Sequence, residues 1–144
     1  MLYNKEKGSR GGIFTQLNLT NKEFRRLLDL VYIGNWVLNS TRGADRFGDY
    51  DLVLSKVFSC CPGLSQKVGP LTIPSKAYRE GGIHEAISYY EDNIFYEILA
   101  EELSRRDMDY PEITEENYPE ITSRIQQYML EFETSGVDHL KLEE

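Results

Sequence analysis

The chain opens its pattern with alternation. Ile13, Thr15, Leu17 and Leu19 interleave with Phe14, Gln16 and Asn18, a period of two that allows a short strand. Thr20 and Glu23, in the string Thr-Asn-Lys-Glu, form a capping box ahead of an apolar run. The threonine hydroxyl can accept from the amide three residues on, and the glutamate can reach back. The helix that follows is expected to reach Asn39. Its apolar residues Phe24, Leu27, Leu28, Leu30, Val31, Ile33, Trp36, Val37 and Leu38 occupy most of the circumference, as in a central, largely buried helix. One polar row crosses it: Arg25, Asp29, Tyr32, Trp36 and Asn39. Those groups must find partners if buried. Gly34 costs about 1 kcal/mol relative to alanine in a helix and suits a close crossing by a second helix.

A second helix is predicted over 44–60. Phe47, Tyr50, Leu54, Val57, Phe58 and Cys61 form one apolar stripe, and Pro62-Gly63 stops it. Residues 62–82 hold three prolines and four glycines. They read as an irregular connection with an extended piece at Leu71-Thr72-Ile73, and a structureless loop of this length is uncommon in a small domain. A short helix over 83–90 is followed by a break at Asp92-Asn93, which looks like a fresh N-cap, and a stronger helix over 94–106. Pro119 suits the first turn of a last helix. There Ile121, Ile125, Tyr128, Met129 and Phe132 share a face until Gly136. The tail Val-Asp-His-Leu-Lys-Leu-Glu-Glu alternates weakly. The expected fold is mostly α: four or five helices bundled compactly around a central buried helix, with room for a short two-stranded β-pair from the terminal segments.

Composition refines this picture. The 144 residues fit a single domain over 1–144, which at this size buries roughly 68–70% of the surface its unfolded chain exposes. Residues 1–12, charged and Gly-rich, are expected to be flexible. The net charge is −8, which argues against binding nucleic acid or an anionic membrane. The charge is uneven. Residues 1–46 carry eight basic against four acidic groups, residues 47–106 six against nine, and residues 107–144 two against eleven. Cys60 and Cys61 are adjacent, poorly placed for an unstrained disulfide, so a reducing, cytoplasmic compartment is expected. The run from Leu27 to Leu38 is too short to cross a bilayer.

Catalytic signatures fail on inspection. The string from Ser40 to Leu52, with Asp49 and Asp51, looks like the phosphate turn and Asp-x-Asp pair of small nucleotidyltransferases. Asn39 replaces the turn glycine, however, the spacing is one residue short on both sides of Arg42-Gly43, and helical patterns occupy the places where strands are needed. Asp49 and Asp51 then belong on the exposed side of the second helix. Glycines stand three residues before His84 and His139, so no Glu-x-x-His metal motif exists. No cofactor, metal ligand or catalytic residue is assigned, and the chain leans away from being an enzyme.

The ten tyrosines and one tryptophan exceed what a simple core needs, and such residues favour interfaces because they bury area while keeping a polar tip. Tyr32, Trp36, Asn39, Tyr50, Tyr89, Tyr90 and Tyr96 are the candidate interaction surface. Three segments carry a wider likeness: the helix Leu27–Ser40, the Asp45-Arg46 and Tyr50-Asp51 pairs, and the acidic helix Tyr89–Asp107. In these the chain resembles a group of small uncharacterised bacterial proteins. The resemblance implies a bacterial, cytoplasmic, compact helical domain and lends no site residues. Three functions stay open: a non-enzymatic interaction or scaffold protein, expected to be a homo-oligomer (a dimer) or to bind another protein; a small-ligand binder or enzyme with an unrecognised site; and an acidic mimic of nucleic acid.

Overall fold

A computed structural model describes residues 13–142. The order is α1 (Asn21–Asn39), α2 (Gly48–Phe58), a 3-10 turn (Pro62–Leu64), strands β1 (Ser65–Val68) and β2 (Leu71–Pro74), a one-turn helix α3 (Lys76–Tyr78), a π-type turn (Arg79–Ile83), α4 (His84–Asp107) and α5 (Tyr118–Ser135). The mostly α class holds, with four long helices and one small antiparallel sheet among the described residues. The expected flexibility of residues 1–12 lies outside the described residues. The chain divides into two units, Met1–Ile83 and His84–Glu144.

In the first unit the capping box forms as expected. Glu23 N–H donates to the Thr20 hydroxyl at 3.2 Å, and Thr20 N–H to the Glu23 carboxylate at 2.8 Å. The Thr20 backbone bond holds the Glu23 carboxyl below its ordinary range. Helix α1 is not buried all round, which corrects the expectation of a central buried helix. It buries Leu28, Tyr32 and Asn39, while Leu30 and Val37 are each 69% exposed. Its apolar circumference exceeds what α2 covers, because only one face of α1 meets α2. The core of this unit is Leu28, Leu54, Phe58 and Tyr78. The Phe58 and Tyr78 rings meet edge-on at 5.0 Å, and Tyr32 meets Tyr78 edge-on at 5.4 Å.

The 62–82 segment is ordered, not irregular. Strands β1 and β2 pair antiparallel, Ser65 against Pro74 through Val68 against Leu71, across Gly69-Pro70. Gly69 takes φ +59°, the left-handed conformation a tight hairpin needs at its first central position. Among the described residues the paired strands thus sit in mid-chain, although the terminal segments were expected to supply them: residues 14–20 and 137–142 contain no strand. The alternation at 13–19 cannot by itself supply a partner strand, whereas residues 65–74 carry two strands joined by their own turn. The sheet packs on α2, fixed by Thr72 N–H donating to the Ser55 hydroxyl at 2.8 Å.

The second unit is a helical hairpin. Helix α4 runs unbroken through Asp92-Asn93, correcting the expected break. Asn93 Nδ2 donates to the Tyr89 carbonyl one turn back at 2.6 Å, so its side chain bonds within the helix instead of capping a new one. Ala100, Leu103 and Phe132 form the buried centre, with Tyr96, Leu99, Ile125, Tyr128 and Met129 packed around them. Ser104, fully buried, donates to the Ala100 carbonyl at 2.7 Å. Tyr128 donates its hydroxyl to Asp107, which also receives Arg106 at 2.8 Å. These bonds, Tyr128 first, hold the Asp107 carboxyl below its usual range. Gly136, at φ +56°, ends α5.

Candidate functional site

The polar row on α1 finds its partners, in two clusters. Near the helix start, Arg25 donates to Asp29 at 2.7 Å and lies 5.0 Å from the centre of the Tyr78 ring. The Tyr78 hydroxyl donates to the same Asp29 oxygen at 2.8 Å. Burial, and then the neighbouring Asp29, push the Tyr78 hydroxyl well above its ordinary pKa.

The second cluster clamps the turn between α1 and α2. Residues 40–47 reverse the chain through Arg42 N–H to the Asn39 carbonyl at 3.0 Å and Arg46 N–H to the Gly43 carbonyl at 3.3 Å. Asn39, only 1% exposed, holds both polar groups of Phe47. Its Oδ1 accepts the Phe47 N–H at 2.8 Å, and its Nδ2 donates to the Phe47 carbonyl at 3.2 Å. Helix α2 has no side-chain cap; Asn39 instead fixes, from α1, the backbone of Phe47, the N-cap residue of α2. Asp51 does not face open solvent as the stripe on α2 suggested. Arg46 grips it in two-pronged fashion, at 2.8 and 3.1 Å, and Asn35 donates to it at 3.0 Å. The Arg46 bond chiefly, reinforced by Asn35 and opposed by burial, keeps the Asp51 carboxyl below its ordinary range.

Above this network the unit opens a cleft of about 380 Å³. Tyr32, Asn35, Trp36 and Ser40 come from α1 and its end, Arg46, Asp51 and Leu54 from the turn and α2, and Ile73 and Pro74 from β2. The α1 residues meet there because positions three and four apart share a helix face. Tyr32 and Trp36 stack at 6.3 Å with 26° between ring planes, and burial raises the Tyr32 hydroxyl pKa. Leu54, Ile73 and Pro74 complete an apolar wall, and the Arg46–Asp51 pair forms a polar rim. Asp51 is the single carboxylate of the lining, and three donors already occupy it. The arrangement suits holding an apolar or aromatic group beside a fixed ion pair better than moving protons.

The seven candidate surface residues are thus distributed. Tyr32 and Trp36 line the cleft and Asn39 lies beneath it. Tyr50 is exposed beside the same turn, its ring 6.1 Å from Phe47. Tyr89, Tyr90 and Tyr96 belong to the second unit. Tyr89 and Tyr90 are strongly exposed, while Tyr96 packs 5.3 Å from the Phe132 ring. The other lining residues, Asn35, Ser40, Arg46, Asp51, Leu54, Ile73 and Pro74, were not among the candidates. The Ser40–Leu52 string was a visible signal for Ser40, Arg46 and Asp51, but nothing local marks Ile73 and Pro74.

Among the described residues no group of three or more His, Cys, Asp or Glu is placed to hold a metal ion. Cys60 and Cys61 are free thiols, the first exposed and the second half-buried. His139 pairs with Glu131 on the second unit. Among the described residues no helix is long and apolar enough to cross a membrane. Comparison with protein families, with curated proteins and with solved structures gives no match.

Proposed function

We propose that this chain is a non-enzymatic interaction protein that anchors an apolar or aromatic side chain of a partner polypeptide in the Tyr32–Trp36 cleft. The observation that carries the reading is the combination in one cleft of a stacked aromatic pair with an ion pair whose hydrogen bonds are already made. Aromatic anchors in a pocket bounded by a polar rim are the usual energetic centre of a protein interface. Free thiols support a reducing compartment, and with the likeness of the helix and acidic segments we place the protein in a bacterial cytoplasm.

Self-association belongs to the same reading. Leu30 and Val37 stand two turns apart on the open side of α1, and a side chain added at Gly34 between them would meet nothing within 4 Å. A second copy could therefore approach α1 closely, and a two-fold dimer is the commonest closed arrangement. A second reading, a small-ligand binder, is favoured by one observation: the cleft volume of about 380 Å³ lies in the range small ligands fill.

One experiment separates them. A photo-crosslinking amino acid at Ser40, on the cleft rim, is activated in cells and the adducts are identified by mass. A polypeptide adduct, this chain or another, that disappears with Trp36→Ala supports the proposal. Adducts unaffected by Trp36→Ala refute it. A saturable change in the fluorescence of Trp36, the single tryptophan, on adding a small metabolite would favour the second reading. Sedimentation equilibrium of the same protein in about 0.05 and about 0.5 M salt tests self-association, because exposed charge pairs are screened and apolar contacts are not. A monomer in both removes the dimer.

A further inference from the structure

The boundary between the two units is also a boundary of charge. Residues 1–83 carry twelve Lys and Arg against seven Asp and Glu, a net of +5, and residues 84–144 carry four against seventeen, a net of −13. The acidic hairpin nevertheless exposes large apolar side chains. Phe95 is 50%, Ile98 55%, Leu130 64% and Tyr89 73% exposed. Of these, Leu130 lines a groove on α5, and Tyr89, Phe95 and Ile98 lie outside it.

On this hairpin two shallow, open depressions adjoin along α5 and share Met129 and Glu133, the first formed by one face of α5 alone and the second between α4 and α5. One, of about 320 Å³, holds Ile125 and Leu130. The other, of about 290 Å³, has Tyr96 and Phe132 at its floor and Asp92 and Glu97 at its edge. The floor is apolar and aromatic. Every charged residue of the lining is a carboxylate: Asp92, Glu97 and Glu133.

We infer that this groove is a docking site for a basic amphipathic helix of a partner protein. Apolar side chains one turn apart on such a helix, about 5–6 Å between their Cβ atoms, would enter the two adjoining concavities. Lysines and arginines beside them would meet the three rim carboxylates. Charge decides the class of occupant. The same groove of a second copy would bring another −13 against the first, and nucleic acid or an anionic membrane would be repelled. A small polycation would satisfy the rim but leave the apolar floor uncovered. Helix-in-groove binding uses the i, i+3, i+4 anchors this shape accepts. The proposal is independent of the Tyr32–Trp36 cleft, which lies in the other unit.

The test uses the whole protein and two synthetic peptides of about 14 residues, short enough to be unfolded alone. Both contain the same leucines and lysines. In one the leucines fall at i, i+3, i+4 and i+7, and in its isomer they are scattered. Calorimetry and far-UV circular dichroism should show the amphipathic peptide binding, gaining helix, and outcompeting its isomer by at least about tenfold in affinity. Leu130→Lys and Glu133→Lys replace exposed residues, so both variants should melt like the parent while each weakens binding about tenfold, or about 1.4 kcal/mol. Trp36→Ala should leave the peptide affinity unchanged, which keeps this inference separable from the cleft. Equal affinity of the two isomers would show attraction by charge alone and overturn the proposal. So would no binding up to about 1 mM, undiminished binding by both variants, or a homodimer that Leu130→Lys dissociates.

Discussion

Replacing Asn39 by alanine should destabilise the first unit by about 2–3 kcal/mol. The amide makes two good bonds to one residue, accepting from Phe47 N–H at 2.8 Å and donating to its carbonyl at 3.2 Å. Its longer contacts, to Asn35 at 3.3 Å and Asp51 at 3.5 Å, add little. A typical intramolecular hydrogen bond contributes about 1 kcal/mol net, and a partner left buried without a bond adds about 1–3 kcal/mol. The two bonds together contribute about 2 kcal/mol; Phe47 itself is 38% exposed, so water can reach its backbone once the amide is gone, and the unsatisfied-partner penalty adds no more than about 1 kcal/mol. Asn39→Asp is the informative companion. It keeps the acceptor for Phe47 N–H, loses the donors, and sets a second carboxylate beside Asp51. It should therefore be less stable than Asn39→Ala at neutral pH and recover as the pH falls and the new carboxylate is neutralised. The assay is urea unfolding followed by Trp36 fluorescence, because the single tryptophan lies in this unit and one helical turn from the substitution. An Asn39→Ala midpoint equivalent to less than about 0.5 kcal/mol of change, the range of ordinary surface substitutions, would show that the clamp does not hold the α1–α2 turn.

Two further outcomes follow from burial and from the Asp51 network. Leu28→Ala, at a fully buried position, should cost about 2–5 kcal/mol, whereas Leu30→Ala, 69% exposed, should stay within about 0.5 kcal/mol; thermal melts that failed to separate the two would overturn the assigned face of α1. The Asp51 carboxyl titrates below its ordinary 3.8 in the folded chain, chiefly because Arg46 bonds it, so its stabilisation is complete above that value and lost as the pH falls through the folded one. Urea midpoints of the parent should therefore drop more steeply below pH 3.8 than those of Asp51→Asn, and parallel curves would refute the assignment.

Much of the secondary structure was legible in local pattern, because capping and periodicity act over a few residues. The Thr20–Glu23 box, the end of α2 at Phe58 shortly before Pro62-Gly63, and the span of α5 from Pro119 in its first turn to Gly136 all follow from neighbours in sequence. The row Arg25, Asp29, Tyr32, Trp36 and Asn39 was visible as a row, and so was its need for partners. Where local rules offered two answers, tertiary context chose. Asn93 could cap a helix or bond one turn back within it, and in the folded chain it bonds back to Tyr89 inside the continuous α4. The apolar circumference of α1 pointed to burial on every side, but pattern reports only what a helix could bury, and the number of neighbours decides what it does bury. Leu30 and Val37 remain outside for that reason.

The sites depended on contacts that sequence distance hides. Tyr78 reaches Asp29 from 49 residues away, and Ile73 and Pro74 enter the cleft only because the 65–74 hairpin packs on α2. Asp51 looked like one more exposed acid on an amphipathic helix until the turn at Asn39 brought Arg46 and Asn35 onto it. By itself the sequence determined the helical class, the helix ends with strong caps or breakers, and the sign of charge in each half, since these depend on residue identity and near neighbours. Only the tertiary structure decided which face of each helix is covered, where the β-pair forms, and which aromatic residues line a cleft, because those outcomes rest on surfaces that meet after the chain has turned.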